Sequence, residues 1–152
     1  KPITIIKLKG EDRVVSTEIS NKEIFITTKN GYGLRYNTDE VPVTGLRGSG
    51  VKAINLKDDE VVSGHSFNEV HYVAVVTDKN TAKRIKIEEF EPTSRARKGV
   101  LLVRDVKTNP YHIINSFMIK NKVDLGIITD EVKYLKITEL PINPKFFAKY
   151  LP

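Results

Sequence analysis

Apolar and polar positions alternate in short bursts along this chain, and the bursts repeat. Ile24 to Tyr36 reads as two strands about a tight turn. Ile24, Phe25 and Ile26 suit a pleated surface, and Asn30-Gly31 supplies the positive φ angles of a type I′ hairpin. An acidic, Pro-marked connection from Asp39 to Pro42 leads into Gly45-Leu-Arg-Gly-Ser-Gly50. A second strand pair follows, Val51 to Leu56 and Val61 to Phe67, about the polar turn Lys57-Asp58-Asp59. Four short strands in about forty residues is the size of one propeller blade.

Forty-nine residues later the pattern returns. Thr77 to Ile85 lies over Thr28 to Tyr36, and Arg84 takes the place of Arg35. Glu88-Glu89-Phe90 answers Asp39-Glu40-Val41, with Pro92 one place beyond the position of Pro42. Gly99-Val100 falls on Gly50-Val51, and Ser116-Phe117 echoes Ser66-Phe67. A third start runs from Ile127 to Asp130 and on through Leu135 to Pro141, with a turn two residues shorter. At the opening, Ile6-Lys-Leu8 resembles Ile54-Asn-Leu56, and Val14-Val15-Ser16 resembles Val61-Val62-Ser63. The chain therefore divides into half a repeat (1–23), two whole repeats (24–71 and 72–121) and half a repeat (122–152), as if cut from a longer array.

In chain order, Lys1 to Leu8 is expected to be a strand with Ile3, Ile5 and Ile6 toward a core. Gly10 to Arg13 turns, and Val14-Val15 opens the next strand. The two-residue period slips once between Val51 and Leu56, which points to a bulge or a strand buried on both faces. Val100 to Val103 is apolar throughout, Lys107 to Pro110 is a loop, and Tyr111 to Ile119 is the returning strand. Asn143 to Leu151 reads either as a short helix, capped by Asn143 with Pro144 in its first turn, or as a disordered end.

Composition agrees with strands: Val, Ile and Thr make 44 of the 152 residues. The absence of cysteine excludes disulfides, thiolate metal sites and a Cys nucleophile, and fits a reducing cytoplasm. The longest uncharged run, Thr108 to Ile119, is 12 residues, short of a membrane span. No signal peptide is expected ahead of Lys1, and without an initiator Met the original N-terminus is expected to be absent from this chain. Net charge is +6, and its placement changes the picture more than its size. Residues 72–121 carry ten bases against five acids, so +5 falls within the second repeat. Lys79, Lys83, Arg84 and Lys86 surround its hairpin, and Arg95, Arg97, Lys98 and Arg104 flank the strand that follows. Such a focus attracts polyanions, nucleic acid above all, through phosphate neutralisation. The plain alternative is a solvated surface.

Catalytic constellations are missing from the sequence. His65, His71 and His112 do not stand at zinc-ligand spacings and are expected at the surface or in strand packing. Gly45 to Gly50 lacks the Gly-Lys-Ser/Thr ending of a phosphate loop and leads into a strand, not a helix. The acids Asp58-Asp59-Glu60 and Glu88-Glu89 lie in predicted turns, and no nucleophile elbow is present.

These residues carry a family likeness. Thr44 to Leu56, after Thr38-Asp-Glu-Val-Pro42 and before Asp59 to Gly64, resembles a C-terminal-domain repeat of bacterial type IIA topoisomerase A subunits. Val100 to Pro110 resembles a further repeat from the topoisomerase IV member, the ParC subunit of Gram-positive bacteria. The gyrase branch carries a box of the type Gln-basic-basic-Gly-Gly-basic-Gly at Thr44 to Gly50. Only Gly48 and Gly50 match it, with Arg47 where a glycine belongs, which favours the topoisomerase IV branch.

The resemblance implies an all-β pinwheel, a propeller-like array of four-stranded repeats whose neighbours exchange strands, here about two whole blades plus two half blades. It implies a non-catalytic module that holds and bends duplex DNA on a basic outer rim for strand passage, decatenation and relaxation. It further implies that the catalytic tyrosine and metal site lie in other domains. No cofactor is then expected in this chain, whereas the parent enzyme would use ATP and Mg. The implied partners are double-stranded DNA, the remainder of the topoisomerase A subunit, and its ATPase B subunit, with self-association through open blade edges. The implied location is the cytoplasm, at the bacterial nucleoid. Candidate phosphate contacts are Arg35, Arg47 and Lys52 in the first repeat, and Lys79, Lys83, Arg84, Arg95, Arg97, Lys98 and Arg104 in the second. The rival reading is a protein-interaction module presenting Tyr32 and Tyr36.

Overall fold

The computed structural model describes residues 1–103, 107–128 and 130–142, with the backbone of 149–150. Arg104 and the candidate helix from Asn143 lie outside the described residues, apart from the 149–150 backbone. Three hairpins set the pattern: β1 (Glu23–Thr28) with β2 (Tyr32–Asn37), and, after β3 (Val61–Phe67), β4 (Tyr72–Thr77) with β5 (Thr81–Lys86). The two-residue β6 (Val100–Leu101) and then β7 (Ile113–Ile119) precede the third hairpin, β8 (Asp124–Ile128) with β9 (Val132–Lys136), and β10 (Lys149–Tyr150) comes last. Each hairpin ends in a three-residue 3-10 turn that carries acids, Thr38–Glu40, Ile87–Glu89 and Ile137–Glu139. No longer helix occurs among the described residues, so none crosses a membrane as a helix.

A lone hairpin leaves two open edges, and the chain closes them from two sources. β3 pairs with β1 and β7 pairs with β4, each from the same repeat as its hairpin. The other edges are closed from further along the chain, β6 on β2 and β10 on β5. The sheets therefore run β3-β1-β2-β6 and β10-β5-β4-β7, so each blade takes its outermost strand from the repeat that follows. This is the strand exchange of a pinwheel.

It also corrects four expectations. Residues 51–56 are not a strand and do not pair with 61–67. Their counterpart, 100–101, pairs with the preceding hairpin, and among the described residues no hairpin precedes β1 to pair with 51–56 in the same way. Ile54 is buried instead beside Ile26, Leu34 and Tyr36. Residues 1–8 and 14–15 form no strand either, and Ile3 and Ile5 stand exposed, because no strand among the described residues offers them a ladder. The apolar run from Val100 to Val103 is strand only over its first two residues. Lastly, the Asn30-Gly31 turn is not type I′. Gly31 has φ +92 while Asn30 is not left-handed, and Gly31 N–H donates to Thr28 O at 3.1 Å. That is the longer hairpin turn in which one left-handed residue re-enters the strand. Asn80, at φ 54 with its N–H on Thr77 O, repeats it.

The largest cluster of buried residues straddles the joint between the two blades. Phe25 and Phe67 of the first blade meet Val73, Val75, Ile85 and Phe90 of the second, together with Leu102 and Ile113. Phe25 and Phe90 meet edge to face at 5.0 Å. Each such side chain contributes roughly 1.5–3 kcal/mol by burial, so the blades stabilise one another. Beside this core runs a polar seam. Thr27 Oγ1 donates to Ser116 Oγ at 2.9 Å, and Ser63 Oγ lies 2.5 Å from the same atom. His65 Nε2 sits 3.0 Å from the Ser116 carbonyl, with its Nδ1 3.7 Å from Glu18.

Two expected outcomes follow from this packing. Gly99 has φ +89, and a Cβ there would lie 2.4 Å from Gly33 O, whereas Gly50 has φ +78 with open space around it. Gly50→Ala should cost about 1–2 kcal/mol for the left-handed backbone alone. Gly99→Ala should cost more than twice that, read from urea unfolding curves. Burial pushes the His65 imidazole below its ordinary value, against the hydrogen bond to Ser116 and the Glu18 carboxylate. The unfolded chain takes up that proton as pH falls below about 6.5, before the folded chain does. Stability should therefore fall as pH drops through about 6.5. His65→Gln should lose less over that interval than the wild type.

Candidate nucleic-acid interface

The outer segment of the second repeat crosses the joint. Thr93 N–H donates to Arg35 O at 2.9 Å, and further along Val100 and Leu101 pair with Gly33 and Tyr32. Both ends of this segment are thus fastened to β2, and the loop between them stands out from the edge of the first blade. Its inner side is held by residues 51–56. Ala96 N–H donates to Ala53 O, Asn55 N–H donates to Arg97 O (both 2.9 Å), and the Arg95 guanidinium donates to Lys52 O. Ala96 is left-handed at φ 63, which turns the loop between two arginines.

This arrangement relocates the charge. Arg95, Arg97 and Lys98 belong to the second repeat in sequence, yet they sit on the first blade beside Lys52. Residues 43–57 carry Arg47, Lys52 and Lys57 and no acid, and residues 92–103 carry Arg95, Arg97 and Lys98 and no acid. Two acid-free segments are hydrogen-bonded side by side on the outer edge. Arg47, Lys52, Arg97 and Lys98 are exposed. Lys52 Nζ rests on Asn55 Oδ1 at 2.7 Å, and the Lys98 ammonium lies 4.3 Å over the Tyr32 ring. Lys57 lies next to this group and does not stand out in the sequence. The signal for it is the length of the acid-free run, which extends to it.

The remaining candidates hold the fold. Arg35 makes a bidentate pair with Glu23 (2.5 and 3.0 Å) and donates to the carbonyls of Ile87 and Phe90 at 3.2 and 3.0 Å. It clasps the acidic turn of the next repeat. Arg84, its repeat partner, does the same to the third, donating to Leu140 O at 3.0 Å and Thr138 O at 3.3 Å, with Tyr72 under its guanidinium at 4.7 Å in the place of Glu23. Lys83 is fully buried in β5, and burial pushes its ammonium down to about 8. Arg95 is half-buried, and besides Lys52 O it donates to Glu40 O at 3.0 Å. Lys79 is half-buried too, donates to Asn109 O and lies 4.0 Å over the Tyr111 ring. Tyr36 is buried in the core and Tyr32 lies under Lys98, so the protein-interaction reading loses the aromatics it needed.

Residues 1–21, 22–65 and 71–119 match the family model described as DNA gyrase C-terminal domain, beta-propeller. The chain belongs to this family. It is 38% identical over 151 residues to the DNA topoisomerase 4 A subunit of Bacillus subtilis (strain 168), a match that covers 96% of the chain and 19% of that protein. It is 36% identical over 145 residues to the same protein of Streptococcus pneumoniae serotype 4, covering 94% of the chain and 17% of the relative. The crystal structure of the C-terminal domain of DNA topoisomerase IV matches with TM-score 0.90 at 30% identity, over 99% of this chain and 49% of that one. The structure of a DNA gyrase A C-terminal domain matches with TM-score 0.83 at 18% identity, over 98% of this chain and 53% of that one, a likeness of fold. The chain thus spans less than a fifth of these relatives and about half of these solved domains. The exposed loop 44–50 of the first repeat corresponds in sequence to 93–99 of the second, the basic loop fastened to β2.

The division between structural and free cations can be measured. Arg35→Ala leaves the half-buried Glu23 carboxylate and two carbonyls without their donor, and should lower stability by about 2–3 kcal/mol. Arg97→Ala removes only an exposed side chain and should stay within about 0.5 kcal/mol. Thermal and urea unfolding of both variants check the contrast.

Proposed function

We propose that this chain is a DNA-binding module from the A subunit of a type IIA topoisomerase, holding duplex DNA by its phosphates on the outer rim. The observation that carries the reading is the pair of acid-free segments, 43–57 and 92–103, hydrogen-bonded to one another across the blade joint. Five exposed bases, Arg47, Lys52, Lys57, Arg97 and Lys98, on two segments that carry no acid of their own make a surface that a polyanion can follow. Membership of the gyrase A C-terminal family and the likeness to topoisomerase IV support the same reading. The side chains offered are ammonium and guanidinium groups at the ends of flexible stems, suited to phosphates and not organised to read base edges. Bending a short duplex costs on the order of 1–6 kcal/mol, which several phosphate contacts offset together. In the parent enzyme the module would present one DNA segment for strand passage, in decatenation and relaxation. The ATPase B subunit, the nucleotide and Mg would act elsewhere, and the setting would be the bacterial cytoplasm at the nucleoid.

Duplex binding measured by gel shift across a salt series tests this. Arg97→Ala with Lys98→Ala should weaken binding several-fold on unrelated sequences alike. The slope of log affinity against log salt should shrink by roughly 0.9 for every phosphate that is no longer neutralised. Lys83→Met should leave DNA affinity unchanged, because the ammonium it removes is buried. Binding that is indifferent to salt, or equal losses from Lys83 and from Arg97 with Lys98, would refute the proposed rim.

A further inference from the structure

Beside the rim, at the end of the molecule where the first two hairpins turn, lies an open groove of about 390 Å³ between the two blades. Its walls come from both repeats, with Asn30 and Tyr32 of the first hairpin facing Tyr111 and His112 of the second repeat. We infer that this groove is a second phosphate position for the same duplex, formed by the ammonium groups of Lys57, Lys98 and Lys107, and that DNA on the rim turns over the lip at Lys98 into it. This inference rests on the DNA-binding reading and extends it beyond the rim.

Three observations bring these lysines together. Lys98 belongs to both surfaces, since it closes the basic rim segment and also lines the groove, held over Tyr32 at 4.3 Å. Lys57 and Lys107 come from loops at the corresponding place in successive repeats, and both are exposed. Neither makes a hydrogen bond or ion pair among the described residues, in contrast to the bases around them. Lys29 is paired with Glu60 at 2.6 Å, and Lys79 is held by Asn109 O and the Tyr111 ring.

The groove also holds two acids: Asp59 is turned away from it, whereas the Asp58 side chain is exposed beside Lys57. Asp59 Oδ1 accepts the backbone N–H groups of Asn30 at 2.9 Å and Glu60 at 2.8 Å, so its charge is turned into the hairpin junction. Asp58 sits at φ 50, an αL position that closes the turn after Lys57, and its carbonyl accepts Asn30 Nδ2 at 2.9 Å. Gly10 and Asn109 hold left-handed positions in the equivalent loops, after Lys9 and Lys107. Each loop thus carries a lysine one or two residues ahead of a left-handed residue, so Lys57 and Lys107 belong to a series with one member per repeat in the sequence. A series with the period of the blades suits a ligand that runs along the array, as a duplex backbone does, better than it suits a small anion confined to one groove.

Fluorescence anisotropy of a labelled duplex of about three helical turns tests the inference, with folding of every variant checked by its melting curve. Lys57→Ala with Lys107→Ala should weaken binding about tenfold and lower the salt slope by roughly twice 0.9. Lys120→Ala, which removes a lysine paired with Glu69 at 3.1 Å, should change neither. A Lys57→Ala, Lys107→Ala protein with wild-type affinity and slope would overturn the groove while the rim reading stands. No salt-dependent duplex binding by the wild type would remove the rim reading itself. Inorganic phosphate serves as the competing probe. Saturable phosphate binding abolished in the double variant, with DNA binding intact, would make the groove a small-anion site and also overturn the inference.

Discussion

The first two hairpins of this chain each have one edge that only the next repeat closes. β2 and β5 each carry a row of backbone donors and acceptors, and a blade that kept its own outer segment would be an ordinary propeller blade. Here β6 and β10 cross over, so the joint between blades is made of backbone hydrogen bonds as well as side-chain packing. The close approach this requires is visible at Gly99, where any Cβ would strike the Gly33 carbonyl. Because the crossing segment is anchored at Thr93 and again at Val100, the loop between them has no choice but to bulge outward. The basic edge is therefore a consequence of the exchange, since the same loop kept within its own blade would not lie against Lys52.

The cations of the chain divide by what holds them. A guanidinium with two carboxylate oxygens and two carbonyls, as at Arg35, has committed four of its five N–H donors and has no bidentate face left for a phosphate. Releasing it would forfeit several charge-assisted hydrogen bonds to gain one. Lys83 carries the same lesson through burial, because an ammonium enclosed in β5 cannot meet a phosphate. Net charge per repeat is thus a poor guide to where a polyanion docks. What counts is the charge left after the fold has used its share, and a concentrated part of that remainder lies on segments 43–57 and 92–103.

Much of this is legible in the sequence, and the parts that are not share one cause. The 49-residue period, the hairpins and the all-β class follow from local pattern, because hairpins are closed by nearby residues. Partner choice between distant segments leaves no such trace. Val51 to Leu56 and Val100 to Val103 read as buried strands, and apolar side chains there say that something covers them, but not which hairpin. The turn at Asn30-Gly31 differs for a smaller reason: one left-handed residue suffices when the hairpin turn is longer. Among the candidate residues, Arg47, Lys52, Arg97 and Lys98 are exposed. Arg35 and Arg84 look equally free in the sequence, since a base opposite a carbonyl more than fifty residues away cannot be seen in composition.

The exchange also ties the proposed contact surface to the angle between blades. The loop carrying Arg97 and Lys98 is fastened to the first blade, while the chain on either side of it continues into the second, so rotation at the joint carries the cations with it. The two joints are not clasped alike. Between the first and second blades, Arg35 holds a carboxylate as well as carbonyls, whereas at the second joint Tyr72 stands where Glu23 stood and Arg84 holds a ring and carbonyls. An ion pair with two good hydrogen bonds resists displacement more than a cation over a ring at a partly exposed site. By its contacts, the first joint is then the more firmly clasped of the two.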